Sequence, residues 1–137
     1  MNEDERELEV LTEGVCLDLL RANSFGRVAI VVGGQPLVFP VNYGMDGDRV
    51  VIRTGPGTKL RWAPNSRVAF EIDEVDRDHG LAWSVLMQGV AQDVRRAAGG
   101  YGRALRAVTV EPAAPGERDD RLAIQPRVIT GRRFTLV

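Results

Sequence analysis

Apolar positions along the chain change their period several times, and each change marks an element. Val15, Cys16, Leu19 and Leu20 recur at helical spacing behind Thr12, a good N-cap residue, and predict an amphipathic helix that ends near Asn23. From Phe25 the pattern becomes β-branched and extended. Stretches 25–32 (FGRVAIVV) and 36–43 (PLVFPVNY) flank Gly33-Gly34-Gln35 and predict a hairpin. Asp46-Gly47 is a strong turn dipeptide, from which 49–54 (RVVIRT) returns as a third strand. Val68, Phe70 and Ile72 alternate within a fourth strand over 66–73, and 73–79 reads as an acidic loop.

Stretch 81–94 (LAWSVLMQGVAQDV) is a long extended segment with Gly89 in its middle, where a bulge or bend lets one strand serve both sides of a small barrel. A helix weakened by Gly99, Gly100 and Gly102 is expected over 95–110, and a polar loop over 112–120. Stretches 122–128 and 129–136 supply one last extended piece, interrupted at Pro126 and Gly131, which is expected to close the sheet. Sequential strands joined by tight turns exclude an alternating βαβ fold. The expectation is a mainly β protein, a small antiparallel barrel with peripheral helices, forming a single domain over 12–137 behind a loosely held, charged segment at 1–11.

Composition narrows the function classes. The chain has 137 residues, 44% hydrophobic and 27% charged, with a net charge of -1, which fits one globular domain that needs no disulfide or metal staple. The balance of charges argues against a generally basic, nucleic-acid-binding surface. No apolar run approaches the ~20 residues that cross a bilayer, and the acidic N-terminus is unlike a secretory signal. A cytoplasmic protein is expected. Cys16 has no partner for a disulfide, and His79, the only imidazole, can build neither a zinc cage nor a hydrolytic triad. Cys16 falls on the apolar helix face and reads as buried and inert. The acidic residues Asp73, Glu74, Asp76 and Asp78 read as a solvated loop.

Lys59 is the only lysine, against seventeen arginines. It stands in Arg53-Thr54-Gly55-Pro56-Gly57-Thr58-Lys59, a strand end, a glycine turn and an expected short helix start. Backbone N–H groups at such a turn, two hydroxyls and two cations suit a phosphate, which Arg53 would grip and Lys59 neutralise. The spacing is not that of a Walker loop. Pro40-Val41-Asn42-Tyr43 ends a strand with groups able to read a flat heterocycle, and Trp83-Ser84 offers a broad ring face with a small donor. No side chain stands out as an acid or base, and Tyr43 is the candidate for proton delivery. Arg132-Arg133 either reaches the anion turn or flanks the terminal strand.

With these residues in view, the sequence resembles the pyridoxamine 5'-phosphate oxidase-like, flavin-binding split-barrel family, in particular short actinobacterial members related to nitroimidazole-resistance proteins. The resemblance runs from about Glu13 to Val94. It is carried by Cys16-Leu17, Leu19-Leu20, Gly26-Arg27-Val28, Pro40 to Tyr43, Arg53-Thr54, Gly57-Thr58-Lys59-Leu60, Val68-Ala69-Phe70 with Asp73, and Trp83-Ser84-Val85 with Gly89, and it is echoed in Ile129 to Arg133.

The resemblance implies a six-stranded antiparallel split β-barrel, a homodimer, and FMN in clefts between subunits. Arg53, Thr54, Gly57, Thr58 and Lys59 would hold the ribityl phosphate. Pro40, Val41, Asn42 and Tyr43 would border the isoalloxazine, and Trp83 and Ser84 would approach from the barrel wall or the partner subunit. The implied activity is a flavin-dependent oxidoreductase acting on a small molecule. Two alternatives stay open: a reductase using the deazaflavin F420 on the same barrel, and a non-catalytic module that binds flavin or haem. Thr58 replaces a histidine common in the nitroimidazole-resistance relatives. The chain also shows no counterpart of the oxidase's C-terminal arginine and histidine substrate segment, so pyridoxamine phosphate oxidation is not expected.

Overall fold

The computed structural model describes residues 8–54, 57, 61, 63–111 and 120–136. The elements are β1 (Leu8–Val10), α1 (Glu13–Ala22), β2 (Phe25–Val32), β3 (Gln35–Asp46), β4 (Arg49–Thr54), β5 (Arg67–Asp76), β6 (Leu81–Asp93), a 3-10 turn (Val94–Arg96), α2 (Gly99–Ala107) and β7 (Asp120–Thr135). Thr12 caps α1 as its sequence requires, its hydroxyl accepting from the Val15 N–H at 3.3 Å.

The sheet order is β1-β7-β4-β3-β2-β5-β6, and β6 also pairs with β7, so β2 to β7 close a ring of six strands. The pairings are all antiparallel. This is the split barrel expected from sequence, with one strand added. β1 arises in the segment expected to be loose: Leu8 to Val10 pair with Phe134 to Arg132, and an ion pair joins Arg133 to Glu9 at 3.1 Å. Strand β5 runs on to Asp76 because Glu74 to Asp76 find partners in Trp83 to Leu81, so most of the expected acidic loop is ladder.

Strand β7 is the last extended piece expected to close the sheet, and it runs through the interruptions expected at Pro126 and Gly131. Pro126 stands opposite Gly89, where the β6–β7 register shifts, so its missing N–H falls at an irregularity of the ladder. Gly131 leaves room for the Cys16 thiol and a Leu11 methyl against the strand.

Inward side chains of the ring, among them Val28, Ile30, Ile52, Phe70, Ile72 and Met87, form one core with Cys16 and Leu20 of α1. Each such burial is worth roughly 1.5–3 kcal/mol. A second cluster, Val51, Val94, Leu105, Val110 and Ala123, lies outside β4 and β7 under α2. Among the described residues, no helix is long and apolar enough to cross a membrane.

Candidate functional site

Strand alternation divides the residues singled out from sequence into two sets. On β3, Val41 and Tyr43 are buried in the barrel, while Pro40 and Asn42 face outward. On β4, Thr54 is buried on the barrel side, and Arg53, half-buried, lies on the other. Gly44 pairs with Val51 and Tyr43 with Ile52, so the same register brings Arg53 beside Asn42. Pro40, Asn42 and Arg53 therefore form one line across the outer surface of β3 and β4. Gly57 is exposed, and its carbonyl accepts from the Arg61 N–H at 3.0 Å, a hydrogen bond of helical spacing. Thr58 and Lys59 lie outside the described residues.

One end of that line is walled. A Cβ at Gly44 would stand 2.5 Å from the Thr109 carbonyl oxygen and 2.5 Å from a Val108 methyl, so the chain leaving α2 rests directly on β3. Arg121 holds it there, its Nη1 donating to the carbonyls of Leu105 at 3.0 Å and Val108 at 2.6 Å. Neither residue was singled out from sequence. A glycine inside a strand was the available signal for Gly44, whereas nothing local marks Arg121.

Tyr43 is only 1% exposed, donates its hydroxyl to the Leu20 carbonyl at 2.7 Å, and meets Phe70 edge-on at 4.8 Å between centroids. Burial pushes its phenol well above the usual tyrosine value. Proton delivery by Tyr43 is thus corrected: the hydroxyl is a strut between β3 and α1. Tyr43→Phe is expected to destabilise the fold by about 1–2 kcal/mol, because the buried Leu20 carbonyl loses its donor. A thermal melt lowered by a few degrees would show this.

Trp83 packs half-buried against the core, between Glu74 and Arg133 on the ladder, whereas Ser84 lies on the outer face between Asp73 and Arg132. Three strand spacings, roughly 14 Å, separate Ser84 from Asn42 within a protomer. Arg132 and Arg133 lie eleven or more residues along β7 from Arg121, roughly 36 Å of strand, so within one protomer they flank the β1 end and not the anion turn.

Between Pro40 and Ser84 stands a charged group that sequence reading missed. Arg27, opposite Pro40, places Nη1 3.4 Å from Glu71 Oε1 and 3.3 Å from Asp73 Oδ2. Burial, then the hydrogen bond and charge of Asp73, push the Glu71 carboxyl from 4.5 up to about 7 against the pull of Arg27.

The family model described as pyridoxamine 5'-phosphate oxidase matches residues 12–133. The chain belongs to the pyridoxamine 5'-phosphate oxidase-like family. A candidate pyridoxamine 5'-phosphate oxidase of Corynebacterium glutamicum superposes with a TM-score of 0.80 at 32% identity, covering 100% of this chain and 98% of that one. The FAD binding protein of Mycobacterium smegmatis gives 0.78 at 31% identity over 91% and 98%. An uncharacterised protein of Mycobacterium tuberculosis, Rv0080, is 30% identical over 94% of this chain and 87% of its own length.

This member of the pyridoxamine 5'-phosphate oxidase-like family keeps its remaining reactive groups away from the β3–β4 line. Cys16 is buried, its thiol raised by desolvation and then by Glu13. His79 is exposed, with Nδ1 2.7 Å from Asp76 Oδ2. Among the described residues, no three His, Cys, Asp or Glu side chains are grouped to hold a metal ion.

Proposed function

We propose that the chain is a flavin-binding oxidoreductase acting on a small molecule, with an FMN unit lying across Pro40 and Asn42 and its phosphate at the end of β4. The observation that carries this reading is the line Pro40, Asn42 and Arg53 on one outer face, walled by Val108 and Thr109. Its chemistry fits the group: a flat surface and a half-buried amide for a ring, followed by a guanidinium for an anion. The M. smegmatis relative binds FAD, which contains the same ring and ribityl phosphate.

When bound, the flavin supplies hydride and electron transfer. The chain's own residues position and shield. Pro40 contributes a surface without an N–H, and the Asn42 amide offers both a donor and an acceptor to a ring edge. Arg53 and Lys59 would neutralise the phosphate, and the Thr58 hydroxyl would add a hydrogen bond. Thr54 and Gly57 contribute through the backbone of the strand end and turn. Tyr43 and Val41 act from inside the barrel by holding β3 straight, and no protein acid is assigned. The protein works as a homodimer in which Trp83 and Ser84 complete the cleft from the second copy.

Visible absorption of the purified or FMN-reconstituted protein tests the reading. Lys59→Ala and Arg53→Ala are each expected to weaken FMN binding about 10- to 100-fold, or roughly 1.5–3 kcal/mol, for loss of a charge-assisted hydrogen bond. Unchanged affinity in both variants would take the phosphate away from β4. A colourless protein that takes up F420 but not FMN would replace the flavin by the deazaflavin. Tight flavin binding without reduction by any nicotinamide or deazaflavin donor would leave a binding module.

A further inference from the structure

The outer face that carries Pro40, Asn42 and Arg53 continues onto β2. Phe25 stands opposite Asn42 and Arg27 opposite Pro40. Phe25 is 54% exposed, so the flat floor beside Asn42 widens by one strand and ends at a guanidinium. Arg27 and Arg53 flank β3 on opposite sides, two strand spacings apart, roughly 10 Å, and two residues along, roughly 7 Å. A phosphate held at Arg53 and a ring lying over Asn42 and Pro40 bring one edge of that ring to Arg27.

Arg27 is held in place with most of its donors unused. Nη1 lies 3.4 Å from Glu71 Oε1 and 3.3 Å from Asp73 Oδ2, both long for charge-assisted hydrogen bonds. Nε and Nη2 have no hydrogen-bond partner among the described residues, and the side chain is 47% exposed. A guanidinium carries five N–H donors in a planar fork, so one edge of the fork is available to a ligand. The other arginines of the face stand further off. Arg132 lies two strands from Asp73, beyond Ser84. Arg67 lies four residues from Glu71 along β5, roughly 13 Å, with Arg127 beside it on a shared groove. Exposed ion pairs of this geometry contribute little to stability, so Arg27 can be replaced without loss of the fold.

We propose that Arg27 is a further cofactor-binding residue, donating from Nε and Nη2 to the carbonyl-bearing end of the flavin ring, with Glu71 and Asp73 as positioning residues that hold its guanidinium beside β3. This rests on the flavin reading of the proposed function and adds which end of the ring lies at β2. One end of an isoalloxazine carries two carbonyls and the other two methyl groups, and only the first accepts hydrogen bonds. The Val108 methyl that walls the Gly44 end of β3 suits the second. Reduction adds electron density at the carbonyl end, so an adjoining cation stabilises the reduced ring more than the oxidised one.

Three measurements on the full chain at pH 8 test this: FMN titration, the two-electron midpoint potential of the bound flavin, and the carbon-13 shifts of FMN labelled at its two ring carbonyls. In the unmodified chain a carbonyl carbon is expected downfield of its position in free FMN. Arg27→Gln should weaken oxidised FMN about tenfold and reduced FMN about 100-fold. The extra factor of ten lowers the midpoint by about 30 mV, and the carbonyl carbon moves back upfield. Asp73→Asn removes an anion and leaves the fork, so the midpoint rises and the carbonyl carbon stays downfield. Arg67→Gln, with the same loss of charge on the same face, should leave all three readings unchanged. Bound FMN whose carbonyl shifts and midpoint are the same in Arg27→Gln, or an Arg67→Gln midpoint that falls as far as that of Arg27→Gln, overturns the inference and leaves the flavin reading standing. An unmodified chain that takes up no FMN overturns the flavin reading, and the role of Arg27 with it.

Discussion

Replacing Gly89 by alanine is expected to cost at least about 3 kcal/mol and to lower the melting temperature by roughly 10 °C. The added methyl would collide with the Gln125 carbonyl oxygen, with the carbon of that carbonyl 2.9 Å away and an Ile124 methyl at 3.1 Å. The obstacle is backbone, so no side-chain rotation relieves it. The collision falls where the β6–β7 register shifts, and this pairing is what closes the ring. Relief requires moving the ladder from Val90–Gln125 onward. Gly14→Ala is the matched control, since nothing lies within 4 Å of its new methyl and α1 gains a better helix former. It should be neutral or slightly stabilising. Equal melting of Gly89→Ala and the unmodified chain would mean that β6 and β7 do not meet in this register.

The same junction shows what the amino-acid pattern can and cannot convey. Strands β2 and β4 were legible to the residue because turn dipeptides and β-branched runs are local signals. The continuity of β7 was not, because Pro126 and Gly131 look like breaks until Gly89 and Cys16 are seen opposite them. Strand β1 was hidden for a related reason: it is three exposed residues, Leu8-Glu9-Val10, at the end of a charged segment, and its ladder partners lie at the far end of the chain.

At the candidate site, Pro40, Asn42 and Arg53 were readable as types of residue, but the side each occupies was not. The run from Pro36 to Tyr43 is apolar on both faces, so its period of two carries no inside or outside label. Glu71 and Asp73 alternate with Phe70 and Ile72 on a strand whose outer side looked merely solvated. Their meaning depends on Arg27, forty-four residues from Glu71 in the chain.

Arg121→Met should separate stability from binding at the wall of the cleft. Arg121 is 6% exposed and gives hydrogen bonds to two carbonyls at the end of α2, groups that a helix terminus leaves without intrahelical donors. Methionine keeps much of the stem volume and supplies no donor, so both buried carbonyls lose their partner, at a cost of about 3 kcal/mol. The local consequence is a looser Val108–Thr109 segment, and Gly44 offers no side chain to catch it. FMN affinity, measured well below the melting temperature, is therefore expected to fall about tenfold while Pro40, Asn42 and Arg53 remain intact. Lysine at 121 restores the charge as a single point donor in place of a planar fork, and should recover part of both losses. A lowered melt with unchanged FMN affinity would show that the wall supports the barrel and not the cofactor. An unchanged melt would mean that water satisfies the carbonyls once the guanidinium is gone.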